Sequence, residues 1–182
     1  MPAKPPPLPE AVYHRVMLVA KIDGYLVLIG AGMSAFLLAG VGLIVPAVAM
    51  CLAAGAGAME VHGSQQLARG NATAVNWLVR AQLFLMLIIL VFIVYLLTRL
   101  DASSISAQIP EFRRQMTELS RKWNSENPYD QFTDSQLASM MRTSFPMACY
   151  FVAIVTCIYS SLMARYYHKR RAAIAQALAA GA

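Results

Sequence analysis

The sequence contains few charged residues for its length. Only 13% of its 182 residues are Asp, Glu, Lys or Arg, whereas 58% are hydrophobic, and the mean hydropathy is positive. A soluble domain has about 25% charged residues, so this composition is typical of a membrane protein. The net charge of +6 is modest, and the positions of the basic residues are therefore more informative than their sum.

Cysteine is also scarce. The three cysteines, Cys51, Cys149 and Cys157, all lie in apolar runs, and none belongs to a C-x-x-C pair. Their odd number and spacing argue against a disulfide framework. We expect them to behave as small buried hydrophobic residues.

The sequence lacks the motifs of common enzyme and metal sites. It has no G-x-S-x-G, no phosphate-binding G-x-x-x-x-G-K and no H-E-x-x-H or E-x-x-H pattern, which removes the simplest hydrolase, nucleotide and metal hypotheses. No histidine lies within an apolar span, so haem ligation inside a helix bundle is not expected. We predict no cofactor, no metal and no catalytic residue, and the sequence favours a protein that is not an enzyme. The short basic cluster near the C-terminus does not indicate nucleic-acid binding.

Four apolar segments are long enough to cross a bilayer, whose hydrocarbon core requires about 20 helical residues. They cover residues 22–40, 41–59, 81–98 and 145–164. The first two meet at Gly40-Val41-Gly42, and a single helix through both would be far longer than a bilayer core. The glycines instead predict a tight helical hairpin. The predicted fold is an all-α membrane protein with four transmembrane helices.

The remaining residues flank or connect these spans. Residues 1–9 are proline-rich and are predicted to be disordered, which leaves 10–182 as a single transmembrane domain. Asn71 is predicted to cap the third helix. The connection 101–144 between the third and fourth spans is predicted to be helical and outside the membrane. Pro110 and Glu111 suit the start of its first helix, and the T-D-S-Q sequence at 133–136 predicts a capping box before the second.

The connecting helix has one apolar face. It comprises residues at helical spacing, namely Phe112, Met116, Leu119 and Trp123. Three interpretations are open: the face packs on a neighbouring helix, lies in the lipid interface, or binds a partner protein.

The basic residues near the spans predict the orientation. Nine of them lie on the side shared by both termini and the connection between the second and third spans, which favours cytoplasmic termini in a plasma (inner) membrane. Four of the nine form the tail, which serves either as a topological signal or as a site for anionic lipid. The tail residues are Arg165, Lys169, Arg170 and Arg171.

Several charged or polar residues are predicted at one depth on that side. They form a candidate interface cluster of Lys21, Asp23, Glu60, His62 and Arg80. One interpretation is a belt in which the basic residues neutralise the two acids; the other is a shallow proton or metal site. Glu60 and His62 are two positions apart and point about 200° away from each other on a helix, which favours the belt.

Small residues predict how the spans pack, because they allow close approach in lipid. The first, second and fourth spans contain lines of such residues, among them Ala49, Ala53 and Gly57 and a second line of Ala47, Cys51 and Gly55. The third span is bulky throughout. We therefore expect the second span to be central and the third to face lipid or a partner subunit.

These features support three hypotheses for the function. The favoured one is a non-catalytic accessory, scaffold or assembly subunit of a membrane complex, with other membrane proteins or further copies of itself as partners. The alternative is a small oligomeric channel or transporter, although no internal repeat is evident. The weakest is an enzyme at the membrane interface that uses Glu60, His62 and Arg80.

Overall fold

A computed structural model describes residues 8–99, 102–123, 127 and 129–181 of the chain. Every regular element in this part is helical, and four helices are long and apolar enough to cross a membrane. The predicted disorder at 1–9 falls mostly on residues 1–7, outside the described residues, and Pro9 is already helical. The helices are α1 (Pro9–Gly40), α2 (Ile44–Ala68), α3 (Val75–Thr98), α4 (Ala102–Lys122) and α5 (Asp134–Ala179), with a 3-10 turn at Ala72–Ala74 before α3.

The chain divides into two compact units. The first comprises Met1–Phe92 and Val155–Ala182, and the second comprises Ile93–Ile154. The first unit therefore contains α1, α2, the beginning of α3 and the end of α5. The second contains α4 and the remaining parts of α3 and α5.

A tight turn joins α1 and α2 where the glycines predict it. Helix α1 ends at Gly40, α2 begins at Ile44, and Gly42 between them has a φ of 79°. This is the left-handed region, which glycine enters without the steric cost of a Cβ atom. The two helices can therefore reverse direction within three residues and pack side by side.

The backbones of α1 and α2 come very close where two glycines face each other. A Cβ atom on Gly57 would lie 2.5 Å from the Leu28 nitrogen and 2.8 Å from the Gly24 oxygen. Of the two lines of small residues in α2, the one ending at Gly57 is the packing surface, since Ala49 and Ala53 are also buried. The other line reaches the surface of the unit, where a Cβ on Gly55 would meet no atom.

The helices of the first unit continue past their apolar segments and build a second core. Helix α5 runs to Ala179, well beyond the predicted span end at 164, and its Tyr167 and Ile174 are fully buried. They pack with residues near the start of α1, the end of α2 and the start of α3. This core includes Val12, Tyr13, Val16, Ala20, Leu67, Val75 and Leu78. The tail is therefore part of the helical core, and its basic residues are carried on that helix.

The burial of α3 differs from the expectation for the third span. Its Leu78, Gln82 and Leu85 are all buried, at intervals of four and three residues that place them on one face. Bulky composition predicted a helix that faces lipid or a partner subunit, but only one face of a helix needs to pack within the chain. The expectation for α2 agrees better, since its apolar segment is 44% buried and the other three helices reach 28% or less.

Local signals at the starts of two helices act as predicted. The Asn71 side chain accepts a hydrogen bond of 3.1 Å from the Thr73 amide at the turn before α3. Before α5, the Thr133 amide donates to Gln136 Oε1 at 2.8 Å, and the Gln136 amide donates back to Thr133 Oγ1 at 3.3 Å. This reciprocal pair is a capping box.

In the second unit, α4 begins earlier than predicted. It starts at Ala102 and contains Pro110 in its interior, so the predicted helix start at Pro110 is wrong. An interior proline costs roughly 3 kcal/mol. Ile105 and Ile109, both buried, lie on the same face as Phe112 and extend the apolar stripe past the proline. Their burial accounts for the longer helix.

The end of the predicted apolar face of α4 is left exposed. The Phe112 ring contacts the Tyr129 ring edge-on at 5.2 Å, and Arg113 forms an ion pair of 2.9 Å with Asp134. These contacts show that part of the connection packs on itself. Leu119 and Trp123, in contrast, are 52% and 78% exposed, and Met116 between them and Phe112 is half-buried.

Candidate functional site: a buried carboxylate pair

Four helices of the first unit each contribute polar side chains to one cluster. Its two acids, Asp23 and Glu60, are called the carboxylate pair. Helix α1 provides Asp23, α2 provides Glu60, α3 provides Gln82, and α5 provides Tyr159 and Tyr167. No other hydrogen-bonded cluster of the described residues joins all four apolar helices.

Gln82 is the bridge between the two acids. Its Nε2 donates to Asp23 Oδ2 at 2.8 Å and to Glu60 Oε2 at 3.0 Å. The amide group has two N–H bonds, so each carboxylate receives one of them. One side chain of α3 thereby links α1 to α2.

Two tyrosines complete the hydrogen bonding of the acids. Tyr159 donates to Asp23 Oδ1 at 2.6 Å, and Tyr167 donates to Glu60 Oε1 at 2.5 Å. These distances are typical of O–H donors bound to a charged carboxylate. Each of the four carboxylate oxygens therefore accepts a hydrogen bond from another helix.

The two halves of the cluster differ in burial. Glu60 is 2% exposed, and Gln82 and Tyr167 are fully buried. Asp23 is only half-buried, and Tyr159 is 44% exposed. The Asp23 half thus lies nearer to the surface of the unit, and the Glu60 half lies inside it.

The glycine contact between α1 and α2 explains why the acids can meet. Gly24 directly follows Asp23, and Gly57 lies about one helical turn before Glu60. Because neither glycine has a Cβ atom, the two backbones approach closely enough for one amide group to contact both carboxylates. The close packing of the two glycines therefore allows the polar cluster to form.

The cluster lies at the level of the apolar segments. At 1.5 Å per residue, Glu60 is about 24 Å along α2 from Ile44, and Asp23 is about 26 Å from the end of α1 at Gly40. A bilayer core is about 30 Å thick. If the turn at Gly42 lies at one surface, the carboxylates lie inside the opposite boundary of the hydrocarbon.

The electrostatic environment of the pair is unusual, because no basic side chain of the described residues lies within 4.0 Å of either carboxylate. Within the same part of the chain, Gln82 Oε1 is buried and has no hydrogen-bond partner. This oxygen belongs to the amide whose nitrogen contacts both acids, so it lies beside them. A second buried oxygen without a partner, Ser160 Oγ, lies on the same face of α5 as Tyr167.

The structure unites only two residues of the predicted interface cluster. Asp23 and Glu60 meet through Gln82, whereas Lys21, His62 and Arg80 are exposed and do not bond to them. His62 instead contacts Gln66 at 3.5 Å and the Trp77 ring at 5.7 Å. The acids thus have neutral partners, where the belt interpretation expected Lys21 and Arg80.

Sequence reasoning missed Gln82 and Tyr167. Gln82 is the one strongly polar side chain in the apolar run that begins at Ala81, and its isolation was the available signal. Tyr167 lies within the basic tail, so nothing in the sequence indicated that its side chain is buried.

The basic tail residues lie mainly on the surface. Arg165, Lys169 and Arg171 are exposed, and the Arg170 guanidinium lies 3.7 Å from the centre of the Tyr166 ring. This is a cation–π contact, so Arg170 has a packing role within the helix. The other three side chains are exposed and make no such contact with the rings that the structure describes.

A separate open groove lies between α1 and α2, with a volume of about 550 Å³. Its lining includes His14, Lys21, Ser64 and Gln65, but neither Asp23 nor Glu60. The groove therefore places Lys21 on a different surface from the carboxylate pair.

The donor set limits the chemistry of the cluster. The described residues contain no group of three His, Cys, Asp or Glu side chains that could hold a metal ion. The pair offers two carboxylates, an amide and two phenols, which can hold small positive charge and exchange protons. The three cysteines are free, and Cys149 alone is buried.

The chain matches no protein-family model, no curated protein and no solved structure. No role is therefore carried over from a relative, and the function is argued from the residues themselves.

Proposed function

We propose that this chain is an integral membrane protein that acts as a non-catalytic accessory, scaffold or assembly subunit of a membrane complex. The observation that carries the proposal is the saturation of the carboxylate pair. All four carboxylate oxygens accept hydrogen bonds from Gln82, Tyr159 or Tyr167 of the same chain. The carboxylate oxygens that could bind a substrate already accept hydrogen bonds that join the helices.

Such a cluster favours a fixed helix arrangement. Hydrogen bonds between membrane helices contribute on average about 0.6 kcal/mol each, and the larger effect is to select one packing. A slipped arrangement would leave a carboxylate buried without donors, which is costly. A protein with one enforced arrangement is suited to present a constant surface to a partner.

Helix α4 offers a surface for that partner. Leu119 of α4 and Trp123, which follows its last residue, are exposed beside charged residues such as Arg121 and Lys122. An exposed tryptophan next to arginine is typical of binding hot spots. A lipid surface is the competing occupant of this face.

For the location, we propose a plasma (inner) membrane with both termini in the cytoplasm. The support is the basic bias of the side that carries both termini, including Arg165, Lys169 and Arg171 on the exposed tail. Anionic lipid headgroups on that side would bind these residues.

The test is extraction of the tagged protein in mild detergent, followed by identification of the chains that co-purify. We expect a stoichiometric membrane partner with the wild-type protein and at least tenfold less with the double variant Leu119→Ser, Trp123→Ala. Lys122→Ala, on the same exposed turn, is the matched control and should retain the partner. A monodisperse homo-oligomer that conducts ions in liposomes would disprove the accessory role.

A small oligomeric channel or transporter is the second candidate. Carboxylates at the level of a membrane span are functional candidates by default, and Asp23 and Glu60 qualify. Liposome flux measured with Glu60→Gln distinguishes the two candidates, because an accessory subunit would show no flux in either form. The geometry gives no support to an interface enzyme, since Glu60 faces the interior while His62 and Arg80 are exposed.

A further inference from the structure

We propose that Asp23, Gln82 and Glu60 form a two-proton binding site, in which the Gln82 amide reverses its orientation as the protons bind. The inference goes beyond the accessory role and does not depend on it. It rests on the two acids that share one amide group and on the buried amide oxygen that has no partner. The ligand is the proton, which needs no cavity to enter.

The charge of the cluster depends on whether its two acids are ionised. With both acids ionised the cluster carries two negative charges, and its donors are an amide and two phenols, all neutral. Burying charge without an opposite charge is costly, and the charge is usually neutralised by a proton or an ion. The described surroundings of the pair supply no ion partner, so the site is built to accept positive charge.

Each of the four helices packed around the pair contributes a titratable or polar group to it. Helix α1 contributes Asp23, α2 contributes Glu60, α3 contributes Gln82, and α5 contributes Tyr159 and Tyr167. The nearby basic residues of the same helices are exposed and bond to neither acid; they are Lys21, His62, Arg80 and His168. Only the two carboxyl groups can therefore take up the protons.

The shape of the Gln82 amide allows it to bond to the acids in both their ionised and their protonated states. Its nitrogen and oxygen are nearly the same size, so a half-turn of the group exchanges a double donor for a double acceptor. In the ionised state Gln82 Nε2 donates to both acids. In the doubly protonated state both carboxyl O–H groups donate to Gln82 Oε1, which has two lone pairs. The four helices stay joined in both states.

The state with one proton bound lies between these two. The protonated carboxyl group can still accept from the amide through its carbonyl oxygen, while the other acid still needs a donor. The first proton also removes the repulsion between the two charges, so the second binds less readily and the pair titrates in two coupled steps. The amide therefore reverses when the second proton binds. Each binding step forms one O–H bond on a carboxyl oxygen and breaks no covalent bond of the protein.

Access to the site is provided by its Asp23 half. Asp23 is half-buried and its partner Tyr159 is 44% exposed, whereas Glu60 and Gln82 are closed off. Protons therefore enter the site from the Asp23 side.

The test is infrared difference spectroscopy of the full chain in lipid nanodiscs, titrated from alkaline to acidic buffer. We expect a C=O band of protonated carboxyl groups that rises in two separate steps as the buffer is acidified. Asp23→Asn and Glu60→Gln should each remove about half of this band and one of its two steps, because each deletes one of the two carboxyl groups. Glu10→Gln, at an exposed acid of α1, is the matched control and should leave both steps intact.

Gln82→Met tests the role of the amide with a side chain of similar size. In the wild-type protein the side-chain amide C=O band of Gln82 should shift with the second protonation step, and we expect this shift to be absent from Gln82→Met while the helical content is unchanged. The proposal is overturned if the bands of Asp23→Asn and Glu60→Gln match that of Glu10→Gln. It is also overturned if uptake follows the sodium concentration at constant pH, because a metal cation would then be the ligand.

Discussion

The two ends of the α1–α2 hairpin are built from the same helices but packed in different ways. At the end near the chain termini, Leu67 of α2 is fully buried in a core that includes Tyr167 of α5, and Tyr167 donates a hydrogen bond to Glu60. At the turn end, Phe36, Leu37 and Ile44 are 80%, 65% and 61% exposed. One end has a core of its own, as in a soluble helix bundle. The other end presents bulky apolar side chains outward, as is typical of lipid-facing helices.

This comparison indicates where the stability of the first unit arises. If the turn end lies in a bilayer, as proposed, the lipid chains there are as apolar as its side chains, so burial at that end contributes little. The core around Leu67 and Tyr167 and the polar cluster next to it should then dominate the stability. Three substitutions test this, each with a matched control at a position where the same chemical change should cost little.

Leu67→Ala should have the largest effect. The side chain is fully buried, and its truncation leaves a cavity that typically costs about 2–5 kcal/mol. The free energy of unfolding, measured by denaturant titration in mixed micelles, should fall by that amount. Leu37→Ala makes the same chemical change at a side chain that is 65% exposed, and it should change the free energy much less. Equal losses would mean that the two ends are packed alike.

Gly57→Ala should have an intermediate effect. The added methyl group would lie 2.5 Å from the Leu28 backbone nitrogen, so the helices must separate, which typically costs about 1–3 kcal/mol. Gly55→Ala, half a turn earlier in α2, adds the same group where no atom lies within 4 Å. It should be neutral or slightly stabilising in the same titration. A harmless Gly57→Ala variant would contradict the close approach of α1 and α2.

Tyr167→Phe should have the smallest of the three effects. It removes the donor to Glu60 Oε1 and leaves a buried oxygen without a partner, which typically costs about 1–3 kcal/mol. Protonation of the pair would offset part of this cost, most strongly in acidic buffer, and this offset places the net effect below that of Gly57→Ala. The control is the neighbouring Tyr166→Phe, whose hydroxyl is buried without a partner and whose loss should be neutral or stabilising. Thermal unfolding of both variants at two pH values provides the measurement.

Much of the architecture could be predicted because it depends on local chemistry. The apolar segments and the Gly40–Gly42 turn follow from hydropathy and from the conformational freedom of glycine. The capping residues Asn71 and Thr133 act through neighbours a few positions away. Pro110 is the exception, since the burial of Ile105 and Ile109 in the second unit decides where α4 begins.

The candidate site could be predicted only in part. Asp23 and Glu60 could be selected because acids at the end of an apolar helix are rare and costly. Their partners could not, because charge matching favoured Lys21 and Arg80, and a long basic side chain at a membrane boundary extends to water as readily as it forms an ion pair. Gln82 is 22 residues from Glu60 and Tyr167 is 107 residues from it, beyond the reach of any local pattern.

The sequence by itself determines that the chain is helical, that four helices are long and apolar enough to cross a membrane, and that small residues line α2. The tertiary structure alone decides which line of small residues packs, which face of α3 is buried and which side chains bond to the acids. The physical reason is that hydropathy and turn propensity act over a few residues. The partner of a buried carboxylate is set by the helix that packs against it, and here the contact of Gly24 with Gly57 brings Asp23 and Glu60 to one glutamine.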